Sequence, residues 1–494
     1  MKKYVLGIDQ STQGTKGLLF DREGVLLYRA DLPHKQYIDQ RGWVEHDPEE
    51  IYANTIQVIK ILVEKACINK EEIAVLGISN QRETALVWDR KTGKPVYNAV
   101  VWQCARGSEI CKKIVAEHEN AEELVRAHTG LQLSPYFSAA KIAWVLLNVP
   151  EAKEKADRGE LCCGTIDSWL VYKLTKGREF RTDYSNASRT QMFNIGNLTW
   201  DREVCDLFGI PLSCLAEVTD SDGDFGLTDF DGYLDAAIPI RAVLGDSHGA
   251  LFGQGCVESG MIKTTYGTGS SIMMNIGKTP VYSNRVVTSL AWKLNGEVNY
   301  VLEGNINYTG AIITWLKDDL NLISFPGETE SLALESNPKD HTYLVPAFTG
   351  LGAPYWDSDA EGILTGMTRT TKKAEIVRAS LDSIAYQITD IIQSMSEESG
   401  IKIGELRVDG GPTKNKYLMQ FQSDIANVEL QVPSAEELSG IGAAYVAGIV
   451  TGIYNREEVL GQMSRTKFSP KMDIQERREK YQGWQKALAQ VLSK

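Results

Sequence analysis

The sequence of 494 residues lacks the patterns that mark several classes of protein. Its eight cysteines form no Cys-x-x-Cys pair and its six histidines form no His-Glu-x-x-His motif. The residues therefore give no sign of a structural or catalytic zinc site, and no structural metal is expected. Scattered cysteines are typical of reduced thiols, and the apolar run after Met1 is interrupted by Asp9, too early for an export signal. These absences predict a cytoplasmic protein.

Long hydrophobic runs and excess positive charge are also missing. The best membrane candidate, the uncharged stretch 438–454, is shorter than the ~20 residues that a span needs and contains several glycines, so it predicts a tightly packed buried helix. The 52 basic residues against 65 acidic ones give a net charge of −13, which repels nucleic acid and anionic membranes. Neither is expected as a partner.

The residues that are present suit two large domains. Hydrophobic residues make up 43% of the chain, enough for substantial cores. A strand-like run, Tyr4 to Asp9, leads into a polar turn over 10–15 and a second apolar run. The pattern returns in the middle of the chain, where Gly, Thr and Ser over 266–271 separate the strand-like segments 262–265 and 272–275. This repeat predicts two α/β domains of related fold with a cleft between them and a boundary near residue 250.

A third glycine turn, at 410–412, follows the strand-like segment 406–409 and precedes a helical pattern over 414–426. Such a strand, turn and helix could seat a nucleotide base or phosphate. Two further segments, the acidic, Gly-rich 220–235 and 321–340, are predicted to be exposed excursions from the fold.

Turns rich in Gly, Ser and Thr can aim several N–H groups and hydroxyls at phosphate oxygens. Any one of them is more often purely structural, but three of them in two halves favour a clamp for ATP. The clamp is not a P-loop, because Ile272 stands where the first glycine of that motif would be. A Gly-x-Gly-x-x-Gly dinucleotide motif is absent as well.

Two acidic residues stand where catalysis could use them. Asp9 and Asp246 end apolar, strand-like runs, and phosphoryl transfer needs one carboxylate near Mg²⁺ and another to accept the proton of the attacking hydroxyl. Arg82 and Glu83 offer a donor beside an acceptor, which suits a polyol hydroxyl. Turn or cap aspartates and a surface ion pair are the ordinary structural alternatives.

Two other functions remain open at this point. The segment 245–249 fits the Gly-x-Ser-x-Gly elbow of serine hydrolases, in which Ser247 would be the nucleophile and His341 the one later histidine available. That hypothesis leaves the phosphate-type turns unexplained. A non-catalytic actin-like ATPase would use those turns but would have no use for Arg82, Glu83 and Asp246.

Longer motifs add a resemblance to these patterns. The segments 136–144 (YFSAAKIAW) and 362–367 (GILTGM), continuing to 379–382 (ASLD), resemble the two signatures of the FGGY family of carbohydrate kinases. The segments 80–84, 101–104, 164–169, 182–190 and 348–356 are similar to blocks of the glycerol kinases within that family. The likeness covers nearly the whole chain.

The resemblance implies two actin-like, ribonuclease-H-type domains, 1–249 and 250–494, that close on ATP with Mg²⁺ and on a small polyol or sugar. It implies phosphate transfer to a terminal hydroxyl, with Asp246 as the general base and Asp9 near the metal. The implied acceptor contacts are Arg82, Glu83, Trp102, Tyr136, Asp246, Ser247 and Ser271. The implied nucleotide contacts are Thr12, Gln13, Lys16, Thr268, Gly310, Thr314, Gly411 and Asn415.

Departures from the glycerol kinase pattern bear on the acceptor. Ser247 and Ser271 stand where glycerol kinases usually carry Gln and Phe, which predicts an enlarged, more polar pocket and an acceptor larger than glycerol, such as a four- or five-carbon polyol or a ketose. The alternative is glycerol kinase proper. Gln13, Lys16 and Thr314 are milder departures near the nucleotide. The resemblance leaves the oligomeric state open, with a homodimer as one option.

Overall fold

The computed structural model describes residues 3–492. The strands of the N-terminal half are β1 (Tyr4–Gln10), β2 (Gly14–Phe20), β3 (Leu26–Pro33), β4 (Tyr37–Ile38), β5 (Val44–His46), β6 (Ile73–Asn80), β7 (Ala85–Asp89), β8 (Ala99–Val100), β9 (Leu161–Thr165), β10 (Arg181–Asp183), β11 (Phe193–Asn194), β12 (Thr199–Trp200), β13 (Glu217–Thr219), β14 (Leu227–Thr228) and β15 (Ile238–Gly245). Its helices are α1 (Pro48–Ala66), α2 (Ser108–Glu117), α3 (Ala121–Thr129), α4 (Ser138–Asn148), α5 (Ala152–Asp157), α6 (Ile166–Leu174), α7 (Tyr184–Ala187), α8 (Arg202–Leu207) and α9 (Asp246–Gly253).

The C-terminal half continues in the same style. Its strands are β16 (Ile262–Tyr266), β17 (Ser270–Gly277), β18 (Val287–Leu294), β19 (Glu297–Ile306), β20 (Tyr343–Val345), β21 (Ile363–Thr365), β22 (Glu405–Gly410), β23 (Glu429–Pro433) and β24 (Arg465–Phe468). Its helices are α10 (Gly310–Thr314), α11 (Glu328–Glu335), α12 (Lys373–Ser399), α13 (Lys416–Ala426), α14 (Leu438–Val450), α15 (Arg456–Gly461) and α16 (Ile474–Leu488). Short 3₁₀ turns at Lys70–Glu72, Ala105–Gly107, Leu212–Cys214 and Gly411–Lys414 and a π turn at Trp315–Asp319 complete the helical elements.

The two large sheets repeat one topology. In the N-terminal sheet the central strands run β3-β2-β1-β6-β15, and in the C-terminal sheet they run β19-β17-β16-β22-β23. In each, the hairpin strands pair antiparallel and the following pairs, β1 with β6 and β16 with β22, are parallel. The repeat seen in the sequence is therefore a repeat of the fold. The predicted class, two actin-like domains of mixed α/β structure, is confirmed.

Local sequence signals fix where the first helix starts. Asp47 caps α1 by accepting a hydrogen bond from the backbone N–H of Glu49, and Pro48 occupies the first turn, where no intrahelical donor is lost. The helix ends at Ala66, and the capping residue Cys67 adopts a left-handed conformation (φ 52°). Its apolar side packs on β2 and β3. This buried face holds the β2–β3 hairpin, which follows the first polar turn.

One helix pair joins the two halves. Helix α14, predicted from its glycines to be a buried helix, packs against α9 and against β1 and β6 of the N-terminal sheet. A side chain on Gly442 would come within 1.9 Å of the carbonyl oxygen of Gly249, so the two backbones touch directly. Within residues 3–492, none of the helices combines the length and apolar character that crossing a bilayer requires.

The segment 220–235 differs from its prediction. It carries acidic residues, but Ser221, Phe225 and Phe230 are fully buried. Ser221 exchanges hydrogen bonds with Lys293 of β18. The segment therefore connects the N-terminal half to the β18–β19 hairpin of the C-terminal half. The apolar residues between the acids determine its placement. The second predicted excursion, 321–340, contains helix α11.

Candidate active site

Strand ends gather the first group of predicted residues. Strands β1, β6 and β15 are parallel, so their carboxyl ends meet at one edge of the sheet. Asp9 lies near the end of β1, where Ser79 donates a 3.2 Å hydrogen bond to it. Arg82 and Glu83 follow β6, and Asp246 follows β15 as the first residue of α9. The sheet therefore places two carboxylates and an Arg-Glu pair on one rim.

A buried ion network connects this rim to the C-terminal half. Both terminal nitrogens of Arg82 bond the carboxylate of Glu303 on β19, at 2.8 and 2.9 Å, and its Nε lies 3.2 Å from Asp246. Arg189 pairs with Glu83 at 2.6 Å and with Glu303 at 3.2 Å. All but Asp246 are almost fully buried, whereas the Asp246 side chain is 35% exposed. The network leaves Asp246 as the member that faces the open cleft.

Glu303 was not predicted from the sequence. Burial alone would raise the pKa of Glu303, but the charges of Arg189 and Arg82 hold it well below its usual range. A signal for it exists in the sequence, because an acid that directly follows the apolar run 300–302 of β19 requires a buried cationic partner if that end of the strand is buried. The identity of that partner could not be read without the fold.

A second charged group surrounds Asp9. Lys16, its register neighbour on β2, lies 3.8 Å from Asp9 and donates a 2.7 Å hydrogen bond to Glu437, which precedes α14. Burial raises the pKa of Asp9 to about 6; Lys16 opposes this shift, and the nearby charges of Asp246 and Glu437 add to it. Lys16 thus lies between two carboxylates, the buried one of Asp9 and that of Glu437, which Arg29 also contacts.

Two aromatic side chains stand beside the ion network. The indole N–H of Trp102 donates to the Thr12 hydroxyl at 2.9 Å, which ties this ring to the first polar turn. Tyr136 meets Trp102 edge to face at a centroid distance of 5.6 Å. Burial, with the neighbouring charge of Glu83, raises the pKa of Tyr136, so the phenol stays protonated. The structure therefore brings Trp102 and Tyr136 together with the Arg-Glu pair.

The two serines that depart from the glycerol kinase pattern flank this group. The backbone N–H of Ser247 donates to the Asp246 carboxylate at 2.6 Å. Ser271 lies on β17 opposite Asn305 of β19, and in the described part of the chain its buried hydroxyl has no hydrogen-bond partner. Ser271 and Asn305 therefore place two polar side chains side by side on neighbouring strands, and the role of Ser271 in the acceptor pocket stays a prediction.

The serine hydrolase alternative gains no support from this geometry. His341 is exposed and makes no described contact with Ser247. The adjacent His248 is fully buried, and burial together with the charge of Arg82 lowers its pKa well below the usual value. Neither ring nitrogen of His248 has a partner within residues 3–492. Neither His341 nor His248 is therefore positioned to activate Ser247 as a base.

The remaining predicted residues line the C-terminal side of the cleft. Gly310, Thr314, Gly411 and Asn415 border one cavity of about 590 Å³, with Lys317, Glu330 and Ile384 among its other walls. This volume is in the usual range for small-molecule sites. The sequence missed these last three residues, which carry no distinctive motif.

Two polar turns approach this cavity and the charged rim. The carbonyl oxygen of Thr268 accepts bonds from Thr309 and Ala311 at the start of α10, and a side chain on Gly310 would lie 2.8 Å from the oxygen of Gly267. The turn and helix can touch only because Gly310 has no side chain. In the other turn, between β1 and β2, Gln13 is exposed at the tip.

Comparisons with known proteins agree with this arrangement. The model of the FGGY family of carbohydrate kinases, N-terminal domain, matches residues 4–253, and that of the C-terminal domain matches residues 262–450. Glycerol kinase 1 of Thermotoga maritima is 49% identical over 99% of this chain and 100% of its own. The glycerol kinase of Carboxydothermus hydrogenoformans is 48% identical over 99% of this chain and 98% of its own.

A solved structure is similar over the same length. The crystal structure of Plasmodium falciparum glycerol kinase with ADP has a TM-score of 0.93 and 38% identity, and the match covers 99% of this chain and 98% of that one. A ligand-bound xylulose kinase from Lactobacillus acidophilus, 21% identical with a TM-score of 0.86, shares the fold.

Proposed function

Because the chain belongs to the FGGY family of carbohydrate kinases, and so transfers phosphate from ATP to an alcohol group of a polyol or sugar, we propose that its acceptor is glycerol. The observation that carries this choice is the agreement of full-length relatives at 44–49% identity, each named glycerol kinase. The acceptor larger than glycerol that Ser247 and Ser271 led us to expect has less support than glycerol itself.

The charged rim supports Asp246 as the general base. Its carboxylate is partly open to the cleft, and Arg82 and the backbone N–H of Ser247 hold it in place. An acceptor hydroxyl that donates to this carboxylate becomes more nucleophilic as its proton moves to Asp246, while the oxygen bonds the γ-phosphorus of ATP and ADP departs. Fixing the hydroxyl and the phosphate together supplies most of the remaining catalysis.

Arg82 and Glu83 supply complementary contacts for the other hydroxyls. Arginine donates and glutamate accepts, and both side chains are already fixed by the ion network, so binding costs little side-chain entropy. Trp102 and Tyr136 offer apolar surface for the carbon chain. A phenol and two ionised groups around a short polyol satisfy its hydroxyls without requiring a larger sugar.

The surroundings of Asp9 fit a magnesium ion bound with the nucleotide. A buried carboxylate whose pKa is raised to about 6 gains from a nearby dication. Within residues 3–492, no group of three or more acidic, His or Cys side chains could hold a metal alone. Such a sparse set of protein ligands suits Mg²⁺, which usually binds one or two carboxylates and completes its coordination shell with phosphate oxygens and water. When bound, the ion would neutralise charge on the phosphates.

The nucleotide would lie between the two halves. The cavity lined by Gly310, Thr314, Gly411 and Asn415 suits the base and ribose, and Thr12, Gln13 and Thr268 stand on turns suited to phosphates. Lys16 offers a charge beside Asp9, although a lysine cannot form the bidentate contact of an arginine.

The domain and cellular assignments are part of the same proposal. Helix α9 spans the predicted boundary at 249/250, and the two family models leave 254–261 between them, so we place the division of the halves after Gly253. Eight free cysteines support a reducing cytoplasm. A homodimer remains an expectation, which sedimentation velocity tests directly.

The decisive experiment is ADP release with glycerol, tetritols, pentitols and ketoses as acceptors. Glycerol is expected to give the highest kcat/KM. Faster turnover with a longer acceptor would overturn glycerol as the substrate and support the enlarged pocket. Turnover that does not depend on any acceptor would support the actin-like ATPase instead.

A further inference from the structure

A buried lysine outside the predicted site has an unusual set of partners. Lys141, in the second turn of α4, is fully buried. Its ammonium donates to the backbone carbonyl oxygens of Pro135 at 2.7 Å, of Phe137 at 3.1 Å and of Tyr136 at short range. An ammonium has three protons, and each has one carbonyl acceptor.

This position is expensive for a lysine. In the described part of the chain no carboxylate lies within ion-pair distance of Lys141, and burying an unpaired ammonium is strongly unfavourable. Burial lowers the pKa of Lys141 to about 7, against the opposing charge of Glu83. A methionine would fill the same space without that cost. The lysine must therefore supply something that packing alone does not.

What it supplies is the conformation of a loop. Three successive carbonyl oxygens that converge on one point repel one another unless a cation lies between them. Side chains of a helix lean toward its N-terminus, so Lys141 reaches the residues just before α4. The helix start is anchored separately, because the Ser138 hydroxyl donates to the carbonyl oxygen of Glu83 at 3.2 Å. The loop is thus fixed relative to the acceptor residues.

The middle residue of that loop is Tyr136. Its backbone oxygen is held by Lys141, while its ring packs against Trp102 and its phenol lies within the electrostatic influence of Glu83. A loose loop would let this ring leave the group formed by Trp102 and Glu83.

We propose that Lys141 is a positioning residue for the acceptor site, which gathers the carbonyl oxygens of residues 135–137 and so presents the Tyr136 ring to the acceptor. The inference rests on the proposed function, because it assumes that Tyr136 contacts glycerol. It concerns the acceptor alone, so ATP binding is expected to be independent of Lys141.

The test is steady-state kinetics of Lys141→Met with glycerol and ATP varied separately. The KM for glycerol is expected to rise about tenfold, the value of one net hydrogen bond, while the KM for ATP stays within about twofold. Lys141→Arg keeps the charge and the donors and is expected to recover part of the loss. Unchanged KM for glycerol in the Met variant, or an equal rise of both KM values, would overturn the proposal.

A control separates positioning from general loss of stability. Asp390 is buried in the C-terminal half and accepts hydrogen bonds from Tyr481 and Trp484, at 2.5 and 2.8 Å. Asp390→Asn is expected to lower the melting temperature and leave both KM values unchanged. If Asp390→Asn shifts the KM for glycerol as Lys141→Met does, the effect is unspecific and the proposal is wrong.

A double-mutant cycle tests whether Lys141 affects acceptor binding through Tyr136. In a Tyr136→Ala background, Lys141→Met is expected to change the KM for glycerol less than twofold, and full additivity would contradict action through Tyr136. If Lys141→Met does not fold, Lys141→Gln, which keeps an amide donor, replaces it under the same criteria. Failure of both to fold would make the lysine purely structural and overturn the proposal. A wild type that prefers another acceptor would refute the proposed function instead.

Discussion

Replacing Glu303 by glutamine tests the ion network that joins the two halves. The substitution keeps the volume of the side chain and removes its charge. Glu303 is fully buried, bonds both terminal nitrogens of Arg82 and lies 3.2 Å from Arg189. The amide of Glu303→Gln would turn N–H groups toward guanidinium N–H groups, so at least one donor would lose its acceptor.

The cost follows from the loss of one partner of a buried pair. Such a loss typically destabilises by about 3–5 kcal/mol, because the remaining charge is left buried and uncompensated. At roughly 2–4 °C per kcal/mol, the melting temperature of Glu303→Gln should fall by about 6–20 °C. Arg82 would also lose its anchor beside Asp246, so kcat/KM for the acceptor should fall with it.

The difference in melting temperature between the wild type and Glu303→Gln should depend on pH only at acidic pH. Arg189 and Arg82 hold the pKa of Glu303 well below its usual value. A carboxylate with a lowered pKa stabilises the fold fully above the pKa of the unfolded chain and loses that contribution only as the pH falls toward the folded value. The difference in melting temperature between wild type and Glu303→Gln should therefore be equal at pH 6 and pH 8.

Thermal unfolding followed by tryptophan fluorescence measures the shift, and Glu297→Gln is the matched control. Glu297 begins the same strand, and its pair with Lys278 at 2.9 Å is largely exposed, so its loss should cost under about 1 kcal/mol. If the two substitutions lower the melting temperature equally, or if Glu303→Gln is as stable as the wild type, the argument is refuted that burial makes the loss of the Glu303–Arg82 pair costly.

Three further predictions concern the reaction. Asp246→Asn should lower kcat by ~10²- to 10⁴-fold with little change in ATP affinity, whereas Ser247→Ala should remain active; the reverse order in ADP release would contradict a base at Asp246. Because burial raises the pKa of Asp9 to about 6, protonation below that pH should reduce kcat/KM for Mg-ATP about tenfold per unit, and a flat profile from pH 5 to 8 would contradict it. The combined change Ser247→Gln and Ser271→Phe should reduce any turnover of tetritols while preserving that of glycerol, and undiminished tetritol turnover would show that these side chains do not limit acceptor size.

Asp9 and Asp246, two of the carboxylates at the edge of the N-terminal sheet, could be picked out from the sequence because each directly follows or ends an apolar, strand-like run. Asp9 and Asp246 each end an apolar, strand-like run of the sequence, and in the structure their strands both lie parallel to β6, so the carboxyl ends share an edge. The polar turns at 10–15 and 266–271 were visible for the same reason. These predictions needed only local periodicity and one rule of topology.

Partners from distant parts of the chain could not be predicted. Glu437 bonds Lys16 across 421 positions and Glu303 bonds Arg82 across 221. The sequence contains many opposite charges, and charge alone does not show which of them pair when they are far apart along the chain. The segment 220–235 was misjudged for a related reason, since its acidic residues conceal two buried phenylalanines, Phe225 and Phe230.

The glycines of α14 connect these long-range contacts to catalysis. The sequence predicted a tightly packed helix, but only the fold reveals that Gly442 abuts Gly249 of α9, three residues after Asp246, the proposed base. Glu437, immediately before α14, holds Lys16 beside Asp9. Because α9 and α14 touch backbone to backbone, a side chain at Gly442 or Gly249 would move the helix that begins with Asp246 away from the helix that Glu437 precedes. The spacing between α9 and α14, and with it that between Asp246 and the Lys16–Glu437 pair, therefore depends on two residues that have no side chain.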